Sequence, residues 1–350
     1  MNIFVIIIGI LVFSLLITVH ELGHFIAAKL CNVRVSEFAI GMGPALFKRQ
    51  KGETLYALRV FPIGGYCAME EDEESNDPNS FVNKPWWQRL IILAAGAAMN
   101  FLTGFIILLF IVQGYRYLQP TITEFYEGCP YESAEYFQLD DSFYSIDGNR
   151  IYFSSNVSYY LEHGETHDIV IIRDGERISF ENIEMVKHEY IDDGETKELY
   201  GLKMASYSIG FGARIRDAWY ASIDYVRLVW GGLGDLISGR VGISEMSGPV
   251  GIVSFINDVG VNSPNVAVAA FQISDIAALI AVNLAVMNML PIPALDGGRI
   301  FFLLINAGVE AVTKRRINPK YEGYVHATGM LLMLALMAFV MFNDIYRLFV

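Results

Sequence analysis

Cysteine is scarce. Cys31, Cys67 and Cys129 are the only three in 350 residues, too few and too scattered for a disulfide framework or a cysteine-ligated metal. Positive charge is missing from the amino-terminal stretch, where no Lys or Arg precedes Lys29 and the apolar run continues beyond residue 20. A cleaved secretory leader needs a basic start and a short apolar core, so this stretch is expected to remain as a membrane span. Positive charge is outweighed overall too: the formal net charge is −13, which argues against nucleic acid as a partner. The imbalance is local, with 19 Asp and Glu against 6 Lys and Arg between Pro120 and Ala205, so the rest of the chain is formally neutral. Charged residues make up only 18% of the chain against 53% hydrophobic, with a mean hydropathy of +0.38, a composition of membrane proteins rather than soluble domains.

Apolar windows near residues 2–28, 88–112, 266–290 and 326–346 each approach the length a bilayer demands. The stretch after the first window carries Lys29, Arg34, Lys48, Arg49, Lys51, Arg59 and Lys84, and that between the last two carries Arg299, Lys314, Arg315, Arg316 and Lys320. Both are expected on the cytoplasmic side, with the acidic middle region outside. That division predicts a membrane region over 1–112, a water-facing domain over 113–205, a membrane-surface segment over 206–265 and a second membrane region over 266–350.

Inside the first window stands His20-Glu21-Leu22-Gly23-His24. Ionisable groups at that depth are costly and need a functional reason. Residues four apart on a helix share a face, so His20 and His24 can bind one zinc ion. Glu21 is offset by about 100° and is placed as a general base rather than a ligand. A zinc with two histidines wants a third protein ligand, and Asp296 is the conspicuous candidate. It follows Pro291 and Pro293, which break the third span, and precedes Gly297-Gly298, which allow a tight turn. Such broken backbone at membrane depth is tolerated where it lines a cavity. Asn288, one turn before the prolines, could grip a peptide backbone or make an interhelical hydrogen bond; Asn100 and Asn283 are assigned the second role.

Between the first two windows, Glu53 to Met69 reads as a hairpin with its turn at Pro62-Ile63-Gly64-Gly65, ahead of Tyr66. It is apolar enough either to dip towards the membrane and offer a strand edge to a peptide, or simply to pack the loop. The acidic run Glu70 to Glu74 reads as solvated. In the middle region, short apolar runs at 151–153, 169–172 and 178–180 alternate with the turn signals Asp147-Gly148-Asn149 and Asp174-Gly175-Glu176, and Tyr159 to Leu161 falls in a short helix. His163 and His167 repeat the four-residue spacing, but Gly164 disfavours a helix there and a second metal site is not expected. His188 and His326 read as lone structural or exposed histidines.

Taken together, HELGH, IGMGP at 40–44, FPIGGYCAM at 61–69, KPWWQRL before the second span, SGPVGI at 247–252 and NMLPIPALDGG at 288–298 resemble the bacterial site-2 proteases of the RseP type, in order and from end to end. The resemblance implies an α-helical multi-pass membrane protein of about four transmembrane helices, with a membrane-re-entrant β-hairpin and one inserted PDZ-like α/β domain facing outward. It implies an intramembrane zinc metalloprotease of the bacterial plasma membrane, held in the lipid bilayer with its active site towards the cytoplasm. Zn2+ would be bound by His20, His24 and Asp296, with Glu21 catalytic and Asn288, Gly64, Gly65 and Tyr66 contacting substrate. Its partners would be single-span membrane proteins, such as anti-sigma factors or remnant signal peptides, cleaved after a first cut outside; neither a particular substrate nor an oligomeric state is assigned. The chain departs from the family at Gly96-Ala97, where a Gly-Pro is usual, and at Asp140-Asp141, where Gly-Asp is usual. It lacks a clear carboxylate-binding loop, so exclusion of bulky substrates is the expected role of the outer domain. A zinc-binding scaffold, or a transporter with Asp275, Asn283 and Asp296 along a path, are the rival readings. Glu21 argues against the first, and the absence of an internal repeat against the second.

Overall fold

The computed structural model describes residues 3–69, 77–112, 117–192, 194–206, 210–242, 248–314 and 319–347. The acidic run 70–74, Ser247 and the Arg315-Arg316 pair lie outside them. The chain divides into two compact units, Met1–Ile107 with Tyr225–Val350, and Leu108–Asp224.

The first unit opens with α1 (Ile3–Leu30), a continuous apolar run that ends in Lys29. Strands β1 (Val35–Lys51) and β2 (Thr54–Met69) follow, then α2 (Trp86–Ile111). The hairpin differs from expectation. Its tight turn lies at Gly52-Glu53, because Lys51 pairs with Thr54, while Pro62 to Gly65 forms a bend inside β2. The bend folds β2 back so that Ile40 of β1 lies opposite both Leu58 and Gly65. Proline removes a ladder donor and Gly64 adopts a φ of 88°, which together bend the strand without ending it. Val33, Val35 and Cys67 pack with Ala27, Ala28, Ile92 and Leu93, so one apolar cluster fixes β1 and β2 against α1 and α2. The Phe25 ring meets Phe38 and Tyr56 at 5.1 and 6.0 Å.

The second unit contains β3 (Glu124–Phe125), β4 (Ser142–Ile146), β5 (Asn149–Arg150), α3 (Ser154–Leu161), β6 (Thr166–Arg173), β7 (Glu176–Glu184), β8 (His188–Asp192), β9 (Glu195–Leu199) and β10 (Leu202–Lys203). Its main sheet has the order β5-β4-β6-β7. Both turn signals act as read. Asp147-Gly148 and Asp174-Gly175 each place two successive residues at positive φ, the conformation that suits two-residue hairpins. The apolar run 151–153 is not a strand but the buried lead into α3. Ile122, Phe137, Phe143, Ile146, Leu161, Ile169 and Ile171 form the interior. Asp140 has a φ of 68°, so an aspartate occupies a left-handed position that glycine would otherwise take. Its neighbour Asp141 is fully buried and accepts two bonds from the Arg173 guanidinium, at 2.8 and 2.7 Å.

Segment 206–265, expected along the membrane surface, forms α4 (Phe211–Ile237) and α5 (Pro249–Asn262). Ile252 of α5 packs in a cluster with Leu16, Ile280 and Ala281, so α5 belongs to the interior of the first unit. Its amino end is held by Asp344, which accepts the Gly248 and Gly251 N–H groups at 3.2 and 2.9 Å. α6 (Val266–Asn288) is capped by Asn265, whose side chain accepts from Val268. α7 (Asp296–Thr313) and α8 (Pro319–Arg347) complete the chain. Among the described residues, four helices are long and apolar enough to cross a membrane: Ile7–Leu30, Trp86–Ile111, Val266–Asn288 and Glu322–Tyr346.

Candidate metal centre

His20 and His24 project from one face of α1, and Asp296 reaches them from the first turn of α7. The two imidazole Nε2 atoms are 3.2 Å apart, and Asp296 Oδ2 lies 3.0 Å from His20 Nε2 and 3.2 Å from His24 Nε2. Three corners of a zinc tetrahedron with bonds of about 2.05 Å are separated by roughly 3.3 Å. The triangle fits that ion. Among the described residues this is the group of His, Cys, Asp and Glu side chains whose ligand atoms cluster as a metal requires.

The far side of each ring decides which nitrogen faces the triangle. His24 Nδ1 donates to the Ile92 carbonyl of α2 at 2.8 Å, which leaves the Nε2 lone pair pointing inward. The Asn100 amide lies against His20 Nδ1 at 3.3 Å. A half-turn of that amide brings Oδ1 to His20, gives the ring N–H an acceptor and satisfies an oxygen that otherwise has no partner. Three lone pairs then converge on one small space, an arrangement that repels itself unless a cation lies among them. The ligand atoms that cluster here among the described residues are those of His20, His24 and Asp296, and Cys67 is not one of them.

Room for the imidazoles comes from α2. A Cβ at Gly96 would lie 2.5 Å from His24 Nε2 and 2.7 Å from His20 Cε1. Gly96 therefore borders the imidazoles directly, while Ala97, the position at which the chain departs from the family's Gly-Pro, is a buried residue of a continuous helix. Gly96 and Asn100 are four apart on α2 and therefore share a face. That spacing of a small and a polar residue in an apolar helix was the signal available for both.

Glu21 follows His20 and is partly buried. The Cys67 main chain approaches its carboxylate, and a Cβ at Gly65 would lie 3.6 Å from its Cγ. The bend of β2 thus brings Gly65 to Glu21. Gly64, by contrast, faces the Met42 side chain. Tyr66 belongs to a polar cluster on the hairpin, where Arg59 donates to the Tyr66 hydroxyl and to Glu37, the latter at 2.6 Å. Burial would raise the Glu37 carboxyl, but donation from Arg59 and Tyr66 outweighs it and holds the group below the usual range. Asn288 is the half-buried last residue of α6, just before the turn that carries Asp296.

The remaining candidates stay apart from the triangle. Asp275 is buried and accepts from the Tyr225 hydroxyl, and Asn283 lies on an exposed face of α6. His163 bonds the Tyr159 carbonyl at 2.6 Å, while His167, on β6, faces Asp147 at 2.7 Å. His163 lies in the turn after α3 and His167 on β6, and they do not converge. His188 is exposed on β8.

A sequence profile of peptidase family M50 matches residues 8–336. A provisionally named zinc metalloprotease of Fusobacterium nucleatum is 33% identical, covering 98% of this chain and 98% of the relative. One of Clostridium acetobutylicum, named in the same way, is 30% identical over 99% of this chain and 98% of its own length. The regulator of sigma-W protease RasP of Bacillus subtilis is 27% identical over 97% and 98%.

Proposed function

Because the chain belongs to peptidase family M50 and is a zinc metalloprotease of the site-2 type, we propose that it hydrolyses peptide bonds in or near the membrane-spanning segments of single-span membrane proteins. The observation that carries this reading is the His20, His24 and Asp296 triangle, built from a helix that can cross a bilayer and a turn that follows another. In it, His20, His24 and Asp296 would hold the ion. Zinc, when bound, supplies Lewis acidity that acidifies water and polarises the scissile carbonyl.

Glu21 accepts the proton of the attacking water and returns it to the departing amine nitrogen. A substrate helix hides its carbonyls in internal hydrogen bonds and must unwind before attack. The β2 edge at Gly64, Gly65 and Tyr66 is suited to hold the unwound chain as an added strand, since Gly65 lies against Glu21. Asn288 supplies an amide for the same purpose. Met42, Phe47, Leu58 and Phe61 are exposed on the hairpin, an apolar surface that supports immersion in the membrane. The basic residues on the loops around it support a cytoplasmic orientation. The second unit then lies outside as a PDZ-like domain that excludes substrates with bulky outer portions, which makes a prior extracytoplasmic cut a requirement. Asp141, which is tied to Arg173, serves that domain's structure.

Reconstitution in liposomes with a single-span substrate tests the reading. Glu21→Gln is expected to retain zinc and lose on the order of 100-fold or more in cleavage rate. A Glu21→Gln protein that holds zinc and cuts as fast as the wild type refutes it.

A further inference from the structure

The turn between α6 and α7 must be held rigidly if Asp296 is to meet two imidazoles, and its own sequence supplies few means. Pro291 and Pro293 have no N–H. The Ile292 N–H bonds the Leu290 carbonyl at 2.7 Å, and that of Leu295 bonds Ile292 at 3.2 Å. Ala294 has a φ of 76°, a left-handed conformation that a residue with a side chain keeps only where its surroundings enforce it. Its N–H leaves the turn altogether and donates to Nδ1 of His326 on α8 at 3.1 Å.

Three residues further along α8 stands Gly329, where a Cβ would come within 2.2 Å of the Pro293 ring. His326 and Gly329 thus share a helix face and hold two consecutive residues of the turn, one by a hydrogen bond and one by close packing. The His326 ring also lies 5.5 Å from Phe302 of α7. On the side lined by Ala294, Arg299, Glu322 and His326 there is a cavity of about 470 Å³, so the turn is not backed by packed protein there. Because Nδ1 accepts, the ring proton is on Nε2, towards Glu322 Oε1 at 3.9 Å.

We propose that His326 is a positioning residue: by accepting the Ala294 N–H it fixes the angle at which the proline-broken turn presents Asp296 to His20 and His24. This rests on the zinc-protease reading above and deepens it. His326, expected from the sequence to be structural or exposed, would thereby act on Ala294, two residues ahead of Asp296.

Full-length protein with His326→Phe, His326→Asn and His326→Gln tests the assignment, with zinc retention against a chelator and cleavage kinetics as separate readouts. The Asn side-chain oxygen occupies the place of Nδ1, whereas that of Gln reaches to the place of Nε2. His326→Phe and His326→Gln are expected to lose zinc to the chelator and to drop kcat by about 10- to 100-fold, with KM changed less than about threefold. His326→Asn is expected to restore both. Wild-type zinc retention in His326→Phe overturns the proposal, as does equal damage in all three variants, which would mean the ring serves only as bulk. If His326→Phe does not accumulate, the Asn and Gln pair decides alone: Asn restored over Gln supports the role, and no difference refutes it. Glu21→Gln run in parallel separates the two readings, since full activity there removes the protease assignment while zinc retention still reports on His326.

Discussion

The two units invert each other. In the second, large apolar side chains are hidden: Phe143 is 1% exposed and Phe137 fully buried. In the first, α8 turns Leu331, Leu332 and Phe342 outward, Phe342 at 70% exposure, while His20, His24, Asn100, Asp275 and Asp344 are buried. A hidden apolar interior is the arrangement that water favours, because apolar burial is then the main source of stability. Lipid around the first removes that driving force, so close packing and polar contacts between helices decide which elements meet. The residues that build the metal centre are therefore those a bilayer would otherwise reject.

Exchanging equivalent truncations between the units should break this comparison if it is wrong. Phe143→Ala is expected to destabilise the second unit by about 3–5 kcal/mol, read by thermal unfolding or limited proteolysis of the full-length protein. Phe342→Ala is expected to change stability by no more than about 0.5 kcal/mol in a bilayer. Equal losses would show that both units are held by the same force.

A smaller effect is expected at the helix contact beside the metal. Gly96→Leu places a side chain where the His20 and His24 rings lie, and it should lower zinc content and activity together by about 10- to 100-fold. The second unit's unfolding should stay unchanged. Loss of that unit's structure in the same variant would contradict the separation drawn here.

The smallest effect concerns surface charge. Donation from Lys197 and Tyr126 holds the partly exposed Asp192 carboxyl below its ordinary range. A depressed carboxyl stabilises the fold above its unfolded value and loses that contribution as pH falls through the folded one. Asp192→Asn should therefore flatten slightly the fall in the second unit's stability at acidic pH and leave zinc retention untouched. A steeper acid fall in the variant would reverse the sign.

Much of this was legible because it is local. The spacing of His20 and His24 follows from helix periodicity, and the Asp174-Gly175 turn from the conformational preferences of two residues. Even Asp296 stood out, because prolines and glycines around it announce a broken helix. The hairpin was read less well. Pro62 to Gly65 has every mark of a turn, yet β2 continues through it because β1 offers partners on both sides of the bend. In segment 206–265, likewise, the packing of Ile252 against Leu16 and Ile280 is not visible in its own periodicity.

The sequence by itself determined that a bilayer-length helix carries two imidazoles and a carboxylate on adjacent faces, and that a second, proline-broken element carries another carboxylate. Only the tertiary structure decided that these converge within 3.2 Å, that Ile92 and Asn100 orient the rings, that Gly96 leaves them space and that His326 holds the distant turn. Periodicity and turn chemistry act over a few residues, whereas each of those contacts joins segments far apart in the chain. Their existence depends on which helix faces meet, and that is settled by the packing of the whole unit.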